Sequence, residues 1–216
     1  MDGYPRTPHL SFSPGINPDD VVCDEIWRSG DDLSDVVITE KLDGGNCCLH
    51  KGMVFARTHR QEATHASFGP IKSLAAQMAS VLLPHLAYFG EAMVAVHSIE
   101  YTALSSYFYL FGVFDTEQKV WLSWDEVTGV ADGIGVPTVP VVYRGAMMEP
   151  ETLRKWMEDN HKKESALGGH TEGFVVRSSV RIREGEFGRK IAKFVRRGHL
   201  QTDETWKAGW KKAQLH

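Results

Sequence analysis

The chain has 216 residues, 42% hydrophobic and 24% charged, with a formal net charge of −4, the composition of a globular protein able to bury a core as one large domain or two small ones. No apolar run approaches the roughly 20 residues of a membrane-spanning helix, the N-terminus MDGYPRTPHLSFSPG has no basic-then-apolar leader pattern, and the net charge argues against a protein that coats nucleic acid without specificity. The default expectation is a cytoplasmic protein with no membrane partner.

Residues 1–35, rich in Pro, Gly, Ser and Asp, predict an irregular lead-in with one short element around VVCDEIW. DVVIT (35–39) reads as a buried strand, and NCCLH and MVFART as two more joined by a tight Lys51-Gly52 turn. In GPIKSLAAQMASVLLPHL, Ile71, Leu74, Ala75, Met78 and Leu82 fall at helical spacing, with a proline in the first turn and Pro84 beyond the end. YFGEAMVAV and YFYLFGVFD read as strands, and VWLSW returns after EQK as a hairpin. Ser123 followed by Glu126 predicts a reciprocally capped helix that ends at glycine. VPTVPVVYRG reads as an edge strand because of its prolines, EPETLRKWMEDNHKK as an amphipathic helix, EGFVVRSS and KIAKFVRR as strands, and TDETWKAGWKKAQ (202–214) as a basic helix. Antiparallel-looking strands with a few helices between them predict an α+β fold, not a doubly wound parallel sheet.

Cys23, Cys47 and Cys48 contain no Cys-x-x-Cys pair, and the adjacent two point to opposite faces of a strand. With His59 and His65 they make no tetrahedral set, so reduced thiols are expected instead of a disulfide or zinc. Charge is unevenly spread. Residues 1–35 hold two basic and eight acidic side chains, whereas residues 177–216 hold eleven basic and four acidic, a segment suited to phosphates or to a solvated surface.

Lys41 stands between a strand and a Gly-Gly turn. It either pairs with Glu40 or Asp43 or acts as a nucleophile or phosphate ligand, the glycines allowing φ > 0 and a ligand's close approach. A Walker loop is excluded, because the lysine precedes the glycines. Further motifs follow in order: ART (56–58), FGE (89–91), YLFGVFD (109–115), TEGFVVR (171–177) and KIAKFVRR (190–197). Over roughly Val37 to Arg197 this series resembles the covalent nucleotidyltransferases, which comprise ATP-dependent RNA ligases, DNA ligases and mRNA capping enzymes. EKLDGGN and EGFVVR look closest to RNA ligases that seal breaks in duplex or structured RNA.

The resemblance implies the adenylation-domain fold, antiparallel sheets flanked by helices, over residues 36–197; relatives commonly carry an extra C-terminal domain, and the expectation here departs from that, with 198–216 a basic tail and no separate C-terminal domain. It implies ATP and Mg²⁺ (or Mn²⁺) as cofactors, a nicked or structured RNA as substrate, and an RNA end-processing kinase or phosphatase as a companion in RNA repair. Lys41 would carry AMP, made nucleophilic by neighbouring positive charge from Arg57, Lys190, Lys193 and the metal. Glu91 would accept from the ribose hydroxyls, Glu40 read the adenine amino group, Asn46 and Arg57 contact nucleotide or RNA end, and Phe114 stack on adenine in preference to Phe108 or Phe111. Glu172 would position the metal through coordinated water. The last motif departs from the family's Lys-x-Lys, with Lys193 first and Val195 second, and Lys190 or Arg196 as substitutes. A DNA ligase, a GTP-dependent capping guanylyltransferase and a non-catalytic RNA-end-binding module remain as alternatives, and the basic tail, with Trp206 and Trp210, either contacts RNA or packs back on the core as an amphipathic helix.

Overall fold

The computed structural model describes residues 3–23, 33–57, 61–197 and 210–216. Among the described residues, ten strands form two antiparallel sheets. β1 (Val36–Lys41), β7 (Val141–Gly145), β8 (Gly173–Ser178) and β10 (Ile191–Val195) make one, in the order β10-β8-β1-β7. β2 (Gly45–His50), β3 (Met53–Ala56), β4 (Leu86–Ala92), β5 (Phe108–Asp115), β6 (Val120–Trp121) and β9 (Ile182–Arg183) make the other, in the order β3-β2-β4-β5-β6-β9. Helices α1 (Gly69–Gln77), α2 (Trp124–Ile134), α3 (Pro150–Asn160) and the single turn α4 (Phe187–Lys190) complete an α+β fold.

Period-2 alternation places each layer. Val36, Ile38, Phe174, Val176, Ala192 and Phe194 lie on one face of the smaller sheet and pack with Leu153 and Met157 of α3. The opposite face turns Val37, Thr39, Lys41, Val175, Arg177, Ile191 and Lys193 inward. Between the sheets lies a cluster of Cys48, Ala87, Phe89, Phe114, Trp121, Ile182, Phe187 and Ile191.

The Lys51-Gly52 turn has both residues at positive φ, 50° and 75°, the geometry that suits a two-residue hairpin. Gly44 and Gly45 are absent from the positive-φ set, contrary to the expectation for this turn. What Gly44 supplies is smallness, since a Cβ there would meet the Ala92 carbonyl oxygen and the Met93 sulfur at 2.7 Å. β7 is an edge strand, as expected, with Pro137 and Pro140 lying just before its first residue. α1 ends at Gln77, short of Pro84, because beyond Met78 the chain turns outward and leaves Val81 and Leu83 half exposed. The expected basic helix is absent where it can be followed: Trp210 onward is extended, and Lys212 bridges Ala95. Its first residues, like Asp24–Trp27 of the VVCDEIW element, lie outside the described residues.

The lead-in is not separate from the core. His9 forms a parallel bridge to Lys193, Leu10 N–H donates to the Lys193 carbonyl at 2.9 Å, and Val195 N–H donates to Ser13 Oγ at 2.9 Å, so residues 8–15 extend the β10 edge. Cys47 and Cys48 are buried thiols that form no disulfide.

The capping box at Ser123 is formed in both directions, Ser123 Oγ accepting from Glu126 N–H at 3.3 Å and Ser123 N–H donating to Glu126 Oε2 at 2.9 Å. Ser123→Ala is expected to cost about 1 kcal/mol of unfolding free energy in a urea titration; an unchanged midpoint would contradict this accounting.

Candidate active site

Antiparallel register sets the centre of the site. β1 pairs with β8 so that Lys41 faces Gly173, which brings the preceding residue, Glu172, beneath the lysine. Lys41 Nζ donates to Glu172 Oε1 at 2.6 Å, with Glu172 fully buried. Gly173 is required by backbone proximity, because a Cβ would lie 2.0 Å from the Phe194 carbonyl oxygen of β10.

Lys41 opens into a cavity of about 900 Å³ between the sheets, whose lining includes Glu40, Asn46, Arg57, Glu91, Glu172 and Lys193. Two expected residues stay outside it. Lys190 lies on α4 with its ammonium 3.7 Å from Glu186. Phe114 is buried in the inter-sheet cluster, its ring 4.9 Å from that of Trp121, and Phe111 takes the position at the cavity. The cause is a β-bulge: β4 pairs Phe89 with Gly112 and Gly90 with Leu110, skipping Phe111, and the extra residue is re-aimed. Arg177 fixes the bulge, donating to the carbonyls of Phe111 at 3.3 Å and Leu122 at 2.9 Å. The sequence contained the three phenylalanines but no sign of the irregularity that separates them.

Glu40 lines the cavity with its carboxylate already engaged, accepting from Ser165 Oγ at 2.5 Å and Ala166 N–H at 2.8 Å. Asp43, two residues past the lysine, accepts from Ser98 N–H, Ser98 Oγ and Ile99 N–H at 2.7 to 2.8 Å. It pins the turn that carries Lys41, a positional role not anticipated for it. Arg196 is outside the cavity lining, and Val195 is covered by the Ser13–Gly15 segment.

The electrostatics reverse the expectation that basic neighbours keep Lys41 neutral. Burial disfavours its ammonium, but Glu172, Glu91 and Asp43 outweigh that penalty and hold its pKa above the ordinary lysine value. Burial, with Glu172 and Asp43 close by, pushes Glu91 up to about 8 despite the Lys41 charge, so it is mostly protonated at neutral pH and can donate as well as accept. Lys193 is lowered to about 8 by burial and by the charges of Lys41 and Arg57.

Among the described residues no group of three or more His, Cys, Asp or Glu is placed to hold a metal directly. The hard carboxylate oxygens of Glu172 nevertheless fit a hydrated divalent cation, which usually takes one or two carboxylates and keeps several waters.

The RNA ligase family matches residues 34–195. The chain belongs to the RNA ligase family. Similar solved structures include mutants of the Naegleria gruberi RNA ligase, one apo (TM-score 0.60, 16% identity, covering 91% of this chain and 57% of that one) and one with ATP and Mn (TM-score 0.57, 16% identity, 91% and 61%). The same ligase with PPi gives a TM-score of 0.56 at 16% identity, covering 91% and 58%. These likenesses establish the RNA ligase nucleotidyltransferase fold, and this family member spans about three-fifths of their length. No curated protein matched the chain.

Glu91 gives a pH test. The folded state keeps its proton up to about pH 8, whereas the unfolded chain releases it near pH 4.5. The fold therefore binds more protons between those values, and stability falls as pH rises through that window. Glu91→Gln is expected to flatten the decline in melting temperature between pH 5 and 8; an unaltered decline would show that Glu91 is not the group responsible.

Proposed function

We propose that this chain is an ATP-dependent RNA ligase that carries AMP on Lys41 and joins an RNA 5′-phosphate to a 3′-hydroxyl. The observation that carries this reading is the lysine itself, its ammonium set beside Glu172, Glu91 and Asp43 in the wall of a cavity large enough for a nucleotide. A purely structural ion pair has no need of such a cavity.

In the proposed first step, neutral Lys41 Nζ attacks the α-phosphorus of ATP, the N–P bond forms, the α–β bridging P–O bond breaks and pyrophosphate leaves. A proton must first pass from Nζ to solvent water, so the Glu172 contact must open. Bound phosphate groups compete for the ammonium. A Mg²⁺ or Mn²⁺ ion at Glu172 would supply the positive charge that favours the free amine and offsets charge on the phosphate oxygens. In the second step an RNA 5′-phosphate oxygen attacks the AMP phosphorus, the N–P bond breaks and Lys41 is reprotonated. In the third the 3′-hydroxyl, losing its proton, attacks the activated 5′-phosphate and AMP departs.

Phe111 replaces Phe114 as the base-stacking ring, opposite Val175 on β8. Protonated Glu91 meets the ribose hydroxyls as donor and acceptor. Lys193 and Arg57 supply charge to the phosphates. Glu40 and Asn46 shape the floor, Glu40 through the 165–166 turn that it holds. An RNA end-processing kinase or phosphatase is a companion only where a break lacks the 5′-phosphate or 3′-hydroxyl.

Incubation with α-labelled ATP and Mg²⁺ is expected to label the wild-type chain and leave Lys41→Ala unlabelled; equal labelling of both would sink the mechanism. Offering all four labelled nucleoside triphosphates, then nicked RNA against nicked DNA, separates this reading from a capping enzyme and a DNA ligase. Tight RNA binding without an adduct would indicate an end-binding module.

A further inference from the structure

The segment 210–216 docks back on the core. Val96 N–H donates to the Lys211 carbonyl at 2.8 Å, Ala213 N–H donates to the Val94 carbonyl at 2.9 Å, and the Tyr107 hydroxyl donates to the Ala213 carbonyl at 3.0 Å. The Lys212 ammonium lies 5.3 Å from the Tyr107 ring centre. This pairing fixes Trp210 and Lys211 as a wall of the same cavity that Lys41 opens into. The Trp210 ring is half buried and meets His65 edge-on at 6.1 Å. His65 is itself held, its Nδ1 accepting from Ser67 N–H at 3.2 Å.

Trp210 meets His65, on the segment tied to β3 by the Phe55–Glu62 bridge and by Ala63 N–H donating to the Val54 carbonyl at 2.8 Å. Phe111 lies on β5, and Arg57 follows β3. In the order β3-β2-β4-β5 those strands are three spacings apart, about 14 Å. A base at Phe111 with its α-phosphate at Lys41 leaves the β3 end open. On the ligase reading, which this inference rests on, the RNA 5′-phosphate must come up to the phosphorus on Lys41, so the first RNA nucleoside has to lie in what remains of the cavity. Lys211 is engaged there with Glu100 at 2.5 Å, and Arg57 is the exposed cation.

We infer that Trp210, presented by the docked tail, is the stacking platform for the nucleobase next to the RNA 5′-phosphate. Such a platform tolerates any base, because every base offers a flat π-face, and Arg57, which lines the same cavity, meets the strand's phosphate.

The test is steady-state kinetics with 5′-phosphorylated RNA and with pre-adenylylated RNA, together with the rate of AMP-adduct formation from ATP. Trp210→Leu, which keeps an apolar side chain but no π-face, is expected to form the Lys41 adduct at the wild-type rate. It should raise the KM for both RNAs about tenfold, the scale of one lost stacking contact, and Trp210→Phe should recover most of that loss. The inference is overturned if the RNA KM stays unchanged, or if adduct formation falls in the same proportion as sealing. A melting temperature close to wild type for Trp210→Phe guards against misfolding as the cause. If the wild-type chain forms no adduct, the ligase reading itself fails, an outcome distinct from an adduct-forming enzyme indifferent to Trp210.

Discussion

The contact between Lys41 and Glu172 organises this molecule. It joins the end of one strand to the residue before its neighbour, and places a fixed positive charge among carboxylates that would otherwise repel one another. Burial alone would push the lysine towards its neutral form. Glu172, Glu91 and Asp43 prevail instead, and Lys41 is held as an ammonium. On the proposed mechanism this is a resting state, in which the amine is released only when ligand phosphates and a cation rearrange the charges around Glu172.

Much of the frame was legible because it rests on local rules. Alternation gave β1, β2, β5 and β8, the Lys51-Gly52 pair gave a hairpin, and Ser123 with Glu126 gave a capped helix. Motif order placed Lys41, Glu91, Glu172 and Lys193, which do converge on one cavity. Phe114 failed for a reason that no pattern of apolar residues contains. A bulge opposite Phe89 and Gly90 shifts the parity of β5, and Phe111 becomes the ring at the cavity. The charge environment of Lys41 also differs from the expectation, because basic residues were weighed there, whereas Asp43 in the turn, Glu91 on β4 and Glu172 before β8 outweigh them.

The terminal segments were the least legible parts, because what fixes them is long-range pairing. Residues 8–15 look like an irregular lead-in until their partner is seen to be the β10 edge. Tyr4 then enters the cavity with its ring 4.9 Å from Phe111. His9, lowered to about 4 by burial and the nearby Lys193 charge, sits 3.3 Å from Asp20 beside that edge. The docked stretch at 210–213 is a corresponding case, a basic run that gains its place from the carbonyl and amide of Val94 and Val96. Two stretches remote in sequence thus wall the cavity that the central motifs floor.

The most direct test of this account is the protonation state of Lys41. With ¹³C-labelled lysine, and the Lys41 signal assigned by its loss in Lys41→Arg, an NMR pH titration of the free protein should place its pKa above the ordinary 10.5. Adding Mg²⁺ and an α,β-methylene ATP analogue should lower it. A Lys41 that already titrates below the ordinary lysine value in the free protein would contradict the paired resting state.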